Sequence, residues 1–439
     1  MTSNTLARTP LIAAMAVGVV LLGEGAVRAQ DVRAMPRFEV DASWPKLPNN
    51  WVLGQVPGIA VDRHDHVWIL HRPRTVPEEQ RSRAAPPVLE FDEKGKFVAA
   101  WGGPGTGFDW PDSEHGISVD QKDNVWIGGS SPTSNSLTRR SDDMLLKFTS
   151  KGKFLLQIGG SDKSGGNKDT AAVNKPADAY VYAKTKELFV ADGYGNRRVI
   201  VFDAETGAFK RMWGAFGNVP EDAPVRGGGA PPAAARTGGA PQGAGAQATA
   251  SAPPPAARGG GGAPAGAAPG GGRGAAPPLE TEGPGPQQFG SPVHSVKISN
   301  DGLLYVADRA NRRVQVFDPD GKYKTQMFVN RAGPSSNSVA GIAFSPDNDQ
   351  RFMYLADYGN SRIVVVERKS LEVLYQFGEL GEKSGQFRGP HHLAVDSRGN
   401  MYTAEVSPGN RAQRFAYKGT SSATPPNALT AQQLTVPAK

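Results

Sequence analysis

RVIVF (198–202), RVQVF (313–317) and RIVVV (362–366) decide how this chain folds. Each alternates over five residues with a period of two, which is the pattern of a β-strand. PVLEF (87–91), MLLKF (144–148) and RAQRF (411–415) repeat it. Most are followed by a turn, such as Asp92-Glu93-Lys94-Gly95 or Asp318-Pro319-Asp320-Gly321, and then by another strand. These later strands include KFVAAWG (96–102), KFLLQIG (153–159), AFKRMWG (208–214) and VLYQFG (373–378). Upstream lie strand–turn–strand units: GIAVDRHDHVWIL (58–70), GISVDQKDNVWIG (116–128), VKISNDGLLYVAD (296–308) and HLAVDSRGNMYTA (392–404). Their turns carry the Asp, Asn and Gly that hairpins require. Six units of four strands predict an all-β, six-bladed propeller. The sixth unit lacks its outer strand, and RFEVDASWP (37–45) offers one at the other end of the chain. Pairing the two ends closes the ring and covers both sheet edges.

The remaining segments fall outside the repeats. Arg8 precedes an apolar run from Leu11 to Leu22 that only Gly18 interrupts, and Val27-Arg28-Ala29 supplies a small-x-small cleavage site. Residues 1–29 therefore read as a secretory signal peptide. The run is too short to span a bilayer. The expectation is an exported protein, periplasmic or extracellular, with no membrane association after cleavage. Blades 1–3 with the closing strand occupy 36–220, and blades 4–6 occupy 288–418. Between them, 221–287 is largely Gly, Ala and Pro and reads as a disordered insert. A second disordered stretch is expected over 419–439. The 439 residues contain no cysteine, which excludes thiol chemistry, iron–sulfur clusters and disulfides. The net charge of +7 is spread over scattered arginines with no basic run, so nucleic acid is not the expected partner.

The seven histidines are not placed at random. Aligning the first strand of each blade puts His115, His294 and His391 at one position in the even blades. The odd blades hold Pro57, Ala177 and Ala340 there. First strands line a propeller's channel, so sixfold pseudosymmetry sets the three imidazoles about 120° apart around the axis. Three converging imidazoles with one open side suit a catalytic zinc ion. Copper, iron and nickel also accept imidazole. His392 is an alternative to His391, but the spacing to the following aliphatic residue favours His391. A histidine at a strand start can equally hydrogen-bond a neighbouring loop. Antiparallel blades bring the residues after each second strand to the same face. Those residues include Arg72, Tyr194 and Arg309. Arginine captures carboxylates in bidentate fashion, and a tyrosine beside a cation can ionise and act as a base. The D-x-x-N-R turns around Tyr194 and Arg309 offer a plainer role in holding loops.

The repeats resemble NHL repeats, as in ADGYGNRRVIVFDAETGAFKRMWG (191–214). Over roughly residues 50–400 the chain also resembles the peptidyl-α-hydroxyglycine α-amidating lyase family. The landmarks are LGQVPGIAVDRHDHVWILHR (53–72), EHGISVD (114–120), VADGYGNRRVIVF (190–202), VHSVKI (293–298), VADRANRRVQVF (306–317) and GPHHLAV (389–395). The resemblance implies zinc on His115, His294 and His391, a catalytic Tyr194, and active-site arginines at Arg72 and Arg309. It implies a substrate that is a small molecule or peptide bearing a carboxylate, split into an amide and glyoxylate. This chain departs from the family at two places. Gly389 stands where the family has methionine. His392 stands where an aspartate serves a structural calcium, which would also use the carbonyls of Ile59 and Ile117. Another metal-dependent propeller hydrolase or lactonase, and a non-catalytic binding platform, remain the alternative readings.

Overall fold

The computed structural model describes Met1 and residues 34–134, 136–222, 282–333, 335 and 337–435. The expected signal peptide, apart from Met1, and most of the expected insert lie outside the described residues.

The chain is a six-bladed β-propeller of four-stranded antiparallel sheets. The first strands are Gly58–Val61, Glu114–Val119, Asp178–Tyr182, Val293–Ile298, Val339–Phe344 and Pro390–Val395. Each packs against the first strand of the next blade, and the sixth against the first, so they line a closed ring. In blade 6 the order outward is Pro390–Val395, Met401–Glu405, Arg411–Ser421 and Met35–Asp41. The N-terminal strand is thus the outer strand of the last blade, registered from Met35 opposite Ser421 to Asp41 opposite Arg414.

Six apolar clusters, one at each joint between blades, form the core. A blade therefore buries both faces. The third strand of blade 3 shows the consequence. Val199 and Val201 pack toward blade 4, while Ile200 and Phe202 pack toward blade 2. The run is apolar throughout because neither face meets water, as in other sheets covered on both sides. A polar residue within the third strand of blade 4 is bonded on both sides. Buried Gln315 accepts from the Phe216 amide at 3.1 Å and donates to Gln326 at 2.9 Å.

Two boundaries differ from expectation. The third strand of blade 6 continues to Ser421 because the closing strand needs a partner along its length. Beyond it, the Leu429 amide donates to the Gln376 carbonyl at 2.7 Å. The expected tail over 419–439 therefore begins inside a strand and returns to blade 5. Residues 282–287, expected within the insert, lie against blade 4. Buried Arg313 donates to the carbonyls of Pro284 at 3.1 Å and Pro286 at 2.7 Å.

Phe38 of the closing strand packs against Tyr354, Phe377 and Tyr417. Replacing it should both empty a core site and loosen the closure. Phe38→Ala is expected to lower stability by about 3–5 kcal/mol. Phe209→Ala, on the exposed outer strand of blade 3, should cost far less. Paired denaturant titrations measure the difference.

Candidate metal centre

Each histidine sits near a break in its first strand. The ladder shifts register around His294 and His391, and directly after His115. Such bulges re-aim side chains, and here all three rings reach the axis. The three offer one nitrogen each within 4.8 Å of one another, and all are buried. The Nε2 atoms of His294 and His391 are 3.0 Å apart.

The Nδ1 atoms settle the tautomers. His115 Nδ1 lies 2.8 Å from the Ala177 carbonyl, His294 Nδ1 2.7 Å from Ala340, and His391 Nδ1 2.7 Å from Pro57. A carbonyl cannot donate, so each Nδ1 carries the proton. These acceptors are the odd-blade residues at the same repeat position. The ring thus alternates histidine and anchor. A ligating imidazole needs such an acceptor behind it.

With Nδ1 protonated, every Nε2 presents a lone pair. Burial holds all three imidazoles well below their ordinary pKa, and the positive charges of Arg72, for His115, and Arg309 push the same way. The Tyr194 hydroxyl lies 3.0 Å from His115 Nε2 and 3.1 Å from His294 Nε2. Its one proton cannot serve both. Three lone pairs and a phenolic oxygen therefore converge with a single proton among them. Such a cage favours a cation, and the residues fit a transition metal held by three imidazoles.

The other expected site residues share the same face. Arg309 donates from Nη1 to the Tyr194 oxygen at 3.2 Å, and its guanidinium stacks on the Tyr358 ring at 4.1 Å. Its buried Nε has no hydrogen-bond partner among the described residues. Arg72 is held on all three nitrogens, by the Glu114 carbonyl at 2.8 Å, Gln55 at 2.6 Å and Ser130 at 3.2 Å. Both arginines, Tyr194, Tyr358 and His391 line one cavity of about 230 Å³. The D-x-x-N-R turn at Asp308 and its one-residue-longer counterpart at Asp192 do hold loops, but through other residues. Asp192 accepts from Arg198, and Asp308 from Arg313, each at 2.8 Å. Tyr194 and Arg309 are left to face the axis. Burial pushes the Tyr194 phenol above its ordinary value, while Arg309 and Arg72 pull it down.

Sequence reasoning missed Gln55, Ser130 and Tyr358. Tyr358 had a signal, because Asp357-Tyr358-Gly359-Asn360 echoes Asp192-Gly193-Tyr194-Gly195-Asn196 one residue short. Gln55 and Ser130 had none. His392 stays outside the three-histidine group, and its buried Nε2 has no hydrogen-bond partner among the described residues. The residues do not fit the calcium. The cavity lined by Ile59 and Ile117 also holds the Lys297 ammonium, and among the described residues no carboxylate lines it. A second cluster, Asp62, His66 and Glu90, lies on blade 1. Asp62 there is a hairpin staple. It accepts from the His64 and His66 amides and from Trp68 Nε1, as Asp120 and Asp396 serve the turns of blades 2 and 6.

With the geometry in place, comparison with known proteins adds a class. Residues 293–317 match the NHL repeat. Human NHL repeat-containing protein 3 is 25% identical over 388 residues, covering 84% of this chain and 81% of its own. Peptidyl-alpha-hydroxyglycine alpha-amidating lyase 1 of Drosophila melanogaster is 23% identical over 411 residues, 86% of this chain and 59% of its own. A probable peptidyl-alpha-hydroxyglycine alpha-amidating lyase of Caenorhabditis elegans is 23% identical over 369 residues, 81% of each chain. These distant relatives suggest a lyase on an NHL propeller.

His71, beside Arg72, is buried and holds the loop through its ring. Its Nδ1 accepts the Gly54 amide at 3.2 Å and its Nε2 donates to the Ala85 carbonyl at 3.0 Å. Burial lowers its pKa from 6.5 to about 4. Between those values the unfolded chain binds the proton that the folded chain refuses, so stability falls as pH falls through that window. His71→Gln should make stability less steep in pH there by about one proton. Unfolding midpoints from pH 7 to pH 4 test this.

Proposed function

We propose that the protein is a metal-dependent lyase that cleaves the C–N bond of peptidyl-α-hydroxyglycine-like carbinolamides, giving an amide and glyoxylate. The observation that carries it is the under-protonated cage of three Nε2 atoms and the Tyr194 hydroxyl, opening on the cavity that Arg309 lines. The two amidating-lyase relatives support the reaction class. Zinc is the preferred metal, and copper, iron or nickel would suit the same donors. Zinc, when bound, supplies a Lewis acid for the negative charge that develops on a substrate oxygen.

The chain's own groups supply the rest. Tyr194, as phenolate, takes the proton of the substrate hydroxyl. Arg309 and Arg72 favour that ionised form. The hydroxyl carbon becomes an aldehyde as the C–N bond breaks. The electron pair leaves on nitrogen, which receives the proton, so atoms and charge balance. Arg309 binds the carboxylate through its unpartnered edge. Arg72, fixed on three sides, holds a constant positive charge beside the cavity. The signal-peptide reading places this activity outside the cytoplasm. A binding platform is the second reading, favoured by the similar coverage of NHL repeat-containing protein 3, whose name carries no reaction.

Purified protein should hold about one equivalent of zinc or another transition metal per chain. It should release glyoxylate from several N-acyl-α-hydroxyglycines, and a chelator should abolish the release. No glyoxylate from fully metallated protein would sink the lyase reading. Tyr194→Phe should slow turnover about 10²–10⁴-fold with the metal retained. Full activity in that variant would remove Tyr194 as the base.

A further inference from the structure

A second tier of residues lies one position after the ligands and their anchors: Gly58, Gly116, Asp178, Ser295, Gly341 and His392. The glycines mark joints too tight for a side chain. A Cβ on Gly116 would lie 2.5 Å from the Ala177 carbonyl oxygen, and one on Gly341 3.0 Å from the His392 Cα. Side chains stand at 178, 295 and 392, and the first two meet across the joint between blades 3 and 4. Asp178 Oδ2 accepts from Ser295 Oγ at 2.7 Å, the Val296 amide at 3.3 Å and Lys297 Nζ at 3.1 Å. Its Oδ1 accepts the Ala179 amide at 2.9 Å. The carboxylate is buried.

The chain neighbours of this staple are what give it meaning. Asp178 directly follows Ala177, whose carbonyl orients His115. Ser295 directly follows His294, at which the strand ladder is interrupted. A bulged residue lacks the ladder's restraint, so its position depends on what holds the chain beside it. We propose that Asp178 is a positioning residue for the metal centre, tying the anchor of His115 to the strand that carries His294 and so fixing the separation of two ligands. Lys297 balances the carboxylate's charge, so the staple adds no net charge beneath the three imidazoles. The inference rests on the metal reading above but not on the lyase reaction.

The test is metal affinity, read with zinc against a chromophoric chelator and with cobalt(II) by its visible absorption. Asp178→Asn should weaken zinc binding about 10–100-fold, the usual effect of outer-shell changes, and should alter the cobalt bands. Ser295→Ala removes one hydroxyl and is the milder variant should Asp178→Asn fold poorly. It should weaken zinc several-fold. Asp41→Asn, which breaks the ion pair with Arg414 far out on blade 6, should leave affinity unchanged. Lower melting temperatures with wild-type affinity in both staple variants would overturn the proposal. Wild-type protein that takes up no metal would overturn the metal reading, and this inference with it.

Discussion

The three Nδ1–H···O=C bonds to Ala177, Ala340 and Pro57 are the constraint on which the centre depends. They fix the ring orientations, and they also fix where the protons are. Without them an imidazole could turn its N–H toward the axis and satisfy its neighbours as an ordinary hydrogen-bond network. With them, all three lone pairs point inward, and His294 and His391 face each other at 3.0 Å with nothing of their own to share. Burial opposes the simple remedy of protonating one ring. The fold therefore maintains an electron-rich point that only a cation or an added proton relieves.

The propeller can hold that point because its core does not depend on it. Six apolar joints and the pairing of the two chain ends keep the first strands together. The sixfold ring is used as two interleaved threefold sets, with histidines on even blades and anchors on odd ones. Each histidine leans on the following odd blade, Ala177 for His115, Ala340 for His294 and Pro57 for His391. The last of these bonds joins the sixth blade to the first.

Much of this was legible in the sequence, for identifiable reasons. Strand alternation and turn residues carry the propeller because they repeat six times. The histidines were visible because they break the repeat in alternate units. Pro57, Ala177 and Ala340 marked the anchor positions, but their role was hidden because the acting atom is a backbone oxygen that any residue supplies. Gln55 and Ser130 were hidden because each matters only through Arg72, across 17 and 58 residues of chain. The course of the tail after residue 419 was misread because Ser, Thr, Pro and Ala carry no apolar pattern, although a closing strand needs a partner for its whole length. The D-x-x-N-R turns left two roles open for Arg309. The geometry separates them by giving the staple to Arg313.

A centre built this way has an energetic consequence. Desolvated lone pairs at close range oppose folding, and the apolar joints must outweigh them before any cation is present. A cation bound there would add stability that grows with the logarithm of its concentration over its dissociation constant. Donors held in place in this way would need no rearrangement to meet an ion. Tyr194 gains from this arrangement. Its oxygen touches two ligand nitrogens and Arg309, so a cation among those nitrogens and the guanidinium act together against the burial that raises its pKa. The position that makes the phenol a poor acid in the bare protein is the one that would make it a base in the metallated one.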